Sequence, residues 1–259
     1  MSDRVGFGAD GCRGGWCVVR ARRRTGPERF AFEAAWLVGE LADAFAAAPR
    51  AAEFAVDMPI GLVDGTDTRA CDDLARRALG PRRASVFAAP PRAVLDAADH
   101  AEANARAKRA SGRGLSVQAW NLVPRIREVD AWLRRDADAG ARVFECHPEL
   151  AFARFAGAPM VHAKRAVEGR SERLALLESW APGSTPFVEA FLARTRRAEV
   201  AADDALDACA LAVVAALPPS RRESLPADPP LDGVGLPMRI VTGTVPDPPV
   251  VIRRAQRGG

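Results

Sequence analysis

A chain of 259 residues, 48% hydrophobic and 27% charged, is long enough to bury a substantial core, and its economical reading is a single domain over residues 1–259. It has no apolar run of about eighteen residues, and Met1-Ser2-Asp3-Arg4 lacks the basic-then-apolar layout of a signal peptide, so no membrane partner and a cytoplasmic location are expected. The net charge of +4 permits nucleic acid as a partner without demanding it. Only Lys108 and Lys164 of the 37 basic residues are lysines, and an Arg-rich, Lys-poor chain also follows from GC-biased coding.

The five cysteines (12, 17, 71, 146 and 209) are odd in number and include no Cys-x-x-Cys pair, so neither a disulfide framework nor a zinc site is expected. The first structured stretch is Val5 to Val19. An apolar segment ends in Asp10, a Gly-rich turn follows, and a second apolar segment leaves it from Trp16, which predicts strands at 4–10 and 16–24 joined as a hairpin. Asp10 then stands at the mouth of the hairpin among glycines, where a metal ion or a phosphate can approach the backbone without meeting a Cβ. Asp-Gly is also the commonest hairpin signal, so Asp10 alone decides nothing.

Residues 29–36 alternate as a third antiparallel strand, with 22–27 as a solvated turn before it. The spacing of Leu41, Ala44, Phe45 and Ala48 predicts a helix over 38–48 that Pro49 stops. A short buried strand, Phe54 to Val56, ends at Asp57 before Pro59. A right-handed crossover returns this strand parallel to the first, which puts Asp10 and Asp57 on one carboxyl-terminal edge, in strands about 4.8 Å apart. Two carboxylates so placed can share a divalent cation. A loop-capping aspartate is the plainer account of Asp57 by itself.

Residues 61–140 break the alternation and read as a helical insertion, with helices at 66–79, 92–109 and 117–138. The insertion carries Arg69, Arg82, Arg83 and Arg92, possible anion contacts that serve equally well as solvated surface, and a polar stretch containing Gln118. Trp120 suits a base stack or, more simply, the core side of an amphipathic helix.

A strand at 142–144 ends in Glu145, followed by His147 and by a helix that Pro148 starts. Glu149 is explained by the dipole of that helix; His147, on the same edge, can orient a ligand or a carboxylate, although a turn residue is its plainer account. Helices at 163–180 and 187–197 each present a basic side, the first carrying Lys164. The helix from 202 to 217 is almost wholly apolar after Asp207; capping accounts for Asp203 and Asp204, whereas Asp207 lies one turn inside a buried helix. A last apolar segment covers 232–241, and the tail from Pro246 is expected to be weakly ordered.

The order of hairpin, third strand, helix, strand ending in Asp, strand ending in Glu and a helix with Asp-x-x-Asp resembles the ribonuclease H-like superfamily. The segments Gly8-Ala9-Asp10-Gly11-Cys12-Arg13-Gly14-Gly15-Trp16, Val56-Asp57-Met58-Pro59-Ile60-Gly61-Leu62, Ser116-Val117-Gln118-Ala119-Trp120, Glu145-Cys146-His147-Pro148-Glu149 and Asp203-Asp204-Ala205-Leu206-Asp207-Ala208 resemble, in order along nearly the whole chain, the family known as domain of unknown function 429. That family is regarded as one of ribonuclease H-like nucleases. The resemblance implies a mixed sheet, three antiparallel strands followed by parallel ones, flanked by helices. It implies Mg²⁺ or Mn²⁺ held by Asp10, Asp57, Glu145 and Asp207, with Asp204 joining them in catalysis, to activate a water and stabilise the leaving oxygen of a phosphodiester. Arg13, Arg69, Arg82, Arg83, Arg92, Gln118 and Lys164 are the expected contacts to RNA or DNA. Asp204 to Asp207 also resembles the end of Holliday-junction resolvases. Two other readings stay open: an ATPase or sugar kinase of the actin-like fold, whose first hairpin cradles phosphates, and a non-catalytic binding protein that keeps a metal site.

Overall fold

The computed structural model describes residues 4–24 and 30–245. Strands β1 (Arg4–Cys12), β2 (Gly15–Arg23) and β3 (Phe30–Val38) form an antiparallel meander. Gly15 holds a positive φ of 125° and lies so close to Val38 O that any Cβ would overlap it, which explains a glycine at this corner. Helix α1 (Leu41–Ala46) crosses to β4 (Glu53–Val56), parallel to β1. Helices α2 (Ala70–Leu79), α3 (His100–Ser111), α4 (Val117–Arg135) and α5 (Ala137–Arg142) precede β5 (Val143–Glu145), which is parallel to β4. The resulting sheet has the order β3-β2-β1-β4-β5. Helices α6 (Pro148–Ala156), α7 (Val167–Trp180), α8 (Ser184–Ala193) and α9 (Ala202–Ala216) follow, and β6 (Arg222–Leu225) pairs antiparallel with β7 (Ile240–Gly243).

Period-2 alternation sorts the sheet's side chains into two cores. Cys17, Val19, Ala55 and Phe144 face α9 and pack with Phe152, Trp180 and Phe191. Phe7, Ala9, Trp16, Val18, Phe54 and Val56 face the other way, onto Phe45 of α1 and Val123, Ile126 and Trp132 of α4. Phe7 and Phe54, cross-strand neighbours, stack at 4.6 Å between ring centroids. The 61–140 segment therefore supplies the helical layer over this second face.

Several boundaries differ from the sequence reading. β3 runs to Val38 because Leu37 and Val38 keep pairing with Cys17 and Trp16, so the helix expected over 38–48 is only α1. The helix expected at 92–109 starts at His100, capped by the Asp99 carboxylate, which accepts the Glu102 N–H at 2.8 Å. Asp136, which accepts from Ala139 N at 3.0 Å, caps α5 and so ends the helix expected to reach 138. Residues 163–166, expected to be helical, belong to a loop. The pairing of β6 with β7 was not anticipated. Arg22 binds Glu33 across the sheet rather than lying in a solvated turn. The tip at 25–27 and the tail from Pro246 lie outside the described residues.

Candidate metal centre

Gly6, Gly8 and Asp10 point to one face of β1, where α9 crosses. A Cβ on Gly6 would overlap Ala216 N, and one on Gly8 would overlap Ala208 O and Ala212 N, so the strand and helix backbones touch directly. Two residues of strand advance about 6.6 Å, and four residues of helix about 6 Å. The two ladders therefore keep step, and the next rung brings Asp10 against the turn of α9 that holds Asp207. Asp57 arrives from β4: its N–H donates to Ala9 O at 3.0 Å, level with the end of β1, and its side chain follows Ala55 onto the α9 face. The outcome is three carboxylates, from Asp10, Asp57 and Asp207, each offering an oxygen within 4.8 Å of the others.

These acids are expensive to hold together. Asp207 is fully buried and Asp10 is 7% exposed. Burial first, and then the neighbouring charges of Asp57 and Asp207, push the Asp10 carboxyl well above the usual carboxylate range. Burial also raises Asp207 to about 7, even though the Lys164 ammonium pulls it down. Lys164 Nζ donates to Asp207 Oδ2 at 2.6 Å, and the pull of Asp207, Asp10 and Asp57 on this ammonium outweighs the burial that opposes its charge. Asp207 Oδ1 is buried and accepts no hydrogen bond from the described residues. Three carboxylates facing one ammonium, with an unfilled acceptor among them, make a donor set of hard oxygens that fits a Mg²⁺ or Mn²⁺ ion.

Glu145, expected among the ligands, lines the same cleft but stands outside the converging trio, and strand parity is the reason. In the parallel register Glu145 is the partner of Val56, one residue short of Asp57, so its side chain takes the opposite face. There it pairs with Arg69, which also donates to Asp72 at 3.1 Å and to Ile60 O at 3.0 Å, while Ile60 N donates to Glu145 at 2.8 Å. Arg69 lines the cleft, but it is buried there and its guanidinium is engaged by two acids. Asp204 lines the same cleft as the trio but is occupied at the start of α9, its Oδ2 accepting from Ala201 N at 2.8 Å.

The acid that does approach the trio is Glu149, in the first turn of α6. Buried and paired with Arg173 through Oε1, it leaves Oε2 without a hydrogen bond among the described residues, and its charge adds a small increment to the rise that burial imposes on both Asp57 and Asp207. His147 lines the same wall, its Nε2 3.2 Å from Ser85 O and its Nδ1 without a partner among the described residues, and it tempers the rise that burial imposes on the Asp57 carboxyl. The helix-dipole explanation available in the sequence concealed Glu149, whereas His147 was visible at this edge beside its plainer account as a turn residue. For Lys164 a signal did exist, since it is one of two lysines in an arginine-rich chain.

Trio, Glu149 and His147 open into one cleft of about 610 Å³. Arg82, whose Nε is 3.8 Å from Glu149 Oε2, and Gln118 line it too. Arg13 and Arg83 are exposed and do not line it. Nor does Arg92, which pairs with Asp232 and with Asp130 at 2.8 Å and so ties the 61–140 segment to the chain's C-terminal part instead of meeting a ligand. Trp120 packs against the second core, its ring centroid 6.5 Å from that of His100. Among the described residues no helix is long and apolar enough to cross a membrane.

A family model described as "Protein of unknown function (DUF429)" matches residues 8–231, a span that contains all three acids and Lys164. No curated protein and no solved structure matches the chain.

Proposed function

The chain belongs to the DUF429 family, and we propose that it is a divalent-metal-dependent phosphodiester hydrolase, ribonuclease H-like in architecture, that acts on nucleic acid. One observation carries the reading: Asp10, Asp57 and Asp207 converge within 4.8 Å in a buried setting that only one ammonium partly neutralises. Carboxylates are not kept unpaired in a core without a cation to meet them. The sheet order β3-β2-β1-β4-β5, with the acids at the ends of β1 and β4 and on the helix that crosses them, supports the ribonuclease H-like assignment.

Asp10, Asp57 and Asp207 would hold the ion. A divalent cation bound there supplies Lewis-acid stabilisation of charge on a phosphodiester oxygen. The chain's own residues do the rest. Lys164 takes up one of the three negative charges and, with its side chain 35% exposed, presents an ammonium to the cleft where a phosphate would lie. Arg82 contributes a second cation in the same wall. The phosphate-cradling hairpin of an actin-like kinase finds less support: Gly14 N in the β1–β2 turn already donates to Glu199 O at 2.8 Å, and of that hairpin Asp10 and Gly11 line the cleft while Arg13 and Gly14 do not.

Single-stranded, duplex, hybrid and branched oligonucleotides incubated with Mg²⁺, Mn²⁺ or excess chelator test the proposal. Cleavage is expected only with the metals, and Asp10→Asn, which keeps the shape and removes a charge, is expected to lower it on the order of 100-fold or more with the fold retained. Full activity in chelator, or ATP hydrolysis without cleavage of any strand, would overturn it.

A further inference from the structure

Phe87 takes no part in holding the metal or the phosphate. It is 55% exposed, the only aromatic side chain among the described residues left so open, and it lies in the wall of the acidic cleft. Its backbone is not free to tuck the ring away. Val86 O accepts from Arg76 Nε at 3.2 Å, Ser85 O is 3.2 Å from His147 Nε2, and Ala89 N donates to Asp72 Oδ2 at 3.1 Å. The Val86 side chain is buried against Cys71, Leu79 and Leu150. An apolar ring is thus displayed to water by a segment anchored on both sides of it. Exposing such a surface costs free energy that a ligand with an apolar face would recover.

The same cleft carries Gln118 and Asn121, three residues apart on α4 and so on one face of the helix. Both are exposed, and neither carboxamide has a hydrogen-bond partner among the described residues. A carboxamide offers a donor and an acceptor side by side, the pattern that matches the edge of a base. A flat apolar platform, two free carboxamides and a nearby cation in Arg82, in one cleft with a cation-binding trio, together suit one nucleotide. A base inside a duplex cannot use them, because its faces are stacked and its pairing edge is taken.

We infer that Phe87, Gln118 and Asn121 form a subsite for one unpaired nucleobase beside the acidic trio, which makes a single strand, DNA or RNA, the substrate. The inference rests on the hydrolase reading and adds to it the state of the strand.

Fluorescence anisotropy of labelled 12-mers in Ca²⁺, with cleavage rates in Mg²⁺ measured in parallel, tests it on the full chain. A single strand is expected to bind at least about tenfold more tightly than its duplex. Phe87→Ala is expected to weaken single-strand binding about tenfold while Phe87→Trp retains it, the ring's contribution being that of one stacked base. On a strand of the same length made of abasic nucleotides, Phe87→Ala should change nothing. Gln118→Ala with Asn121→Ala should alter the ranking of the four homopolymers. Since Phe87 is exposed, the variants should melt as the unsubstituted protein does. Equal binding by Phe87→Ala, an equal loss on abasic strands, or a preference for duplex would overturn the subsite while leaving the hydrolase reading intact. Hydrolysis of free mononucleotides with no binding of strands would also overturn it. Failure to bind or cleave any nucleic acid would remove both.

Discussion

Replacing Asp207 with asparagine should make the metal-free protein more stable at pH 8. The carboxyl titrates ordinarily at 3.8, and burial lifts it to about 7 in the folded protein in spite of Lys164. The gap is roughly three pH units, at about 1.4 kcal/mol each. Ionised Asp207 therefore weighs against the fold by about 4 kcal/mol. The direction follows from proton binding. A folded state that holds the proton more tightly than the unfolded chain loses stability as pH rises from about 4 to about 7, and the loss is complete above that. Asparagine keeps the shape and does not ionise. The attraction of Lys164 is already contained in the value of about 7, and the ammonium, its side chain 35% exposed, can be solvated once its partner is gone. The net gain expected at pH 8 is therefore up to about 4 kcal/mol. Urea denaturation in EDTA at pH 5 and pH 8 measures it: the variant should be the more stable at pH 8, and its lead should shrink to less than half at pH 5, since the two meet only near pH 4 where the unfolded carboxyl is protonated as well. Mg²⁺ should reverse the order by stabilising only the parent, and more at pH 8 than at pH 5. A variant less stable than the parent by the same margin at both pH values would refute the reasoning, because Lys164 would then satisfy Asp207 and the trio would have no unmet demand for a cation.

Arg69→Met leaves buried Glu145 and Asp72 without their guanidinium and should cost about 3–5 kcal/mol in urea denaturation. Adding Glu145→Gln should recover part of this loss, and a deficit under about 1 kcal/mol would show that the pair is dispensable. Gly8→Ala puts a methyl group into Ala208 O and Ala212 N, so α9 must move off β1. Thermal melts should show a loss of more than about 3 kcal/mol, and calorimetry should show weakened Mn²⁺ binding, since the shift carries Asp207 with it.

The hairpin, the third strand and the strand ending at Asp57 were legible because alternation, glycine turns and prolines are local signals. The handedness of crossovers then placed Asp10 beside Asp57 with no knowledge of the rest of the chain. Glu145 was misplaced by a single residue of parity. In β5, three residues long and buried throughout, no alternation of polar and apolar side chains marks which face is which. Arg69 and Arg92 looked like anion contacts because their acids, Glu145 and Asp232, stand 76 and 140 residues away. Glu149 and Arg173, 24 residues apart, meet only once α6 and α7 have packed. Where composition decided, as in the nearly continuous apolar run of α9, the sequence reading also singled out Asp207 as the acid that capping could not explain.

Since β1 and α9 meet backbone to backbone at Gly6 and Gly8, no side chain sets the distance between Asp10 and Asp207. Elsewhere in the two cores, exchanging one hydrophobic residue for another changes how layers sit by tenths of an ångström, and such changes reach any site that is built across an interdigitated interface. Here the spacer has no moving parts. Substitutions at Phe54, Phe152 or Trp180 should raise or lower the melting temperature while leaving the gap between these two acids at its original calibration. The centre can thus be carried unchanged through extensive turnover of the hydrophobic sequence around it, provided the two glycines stay.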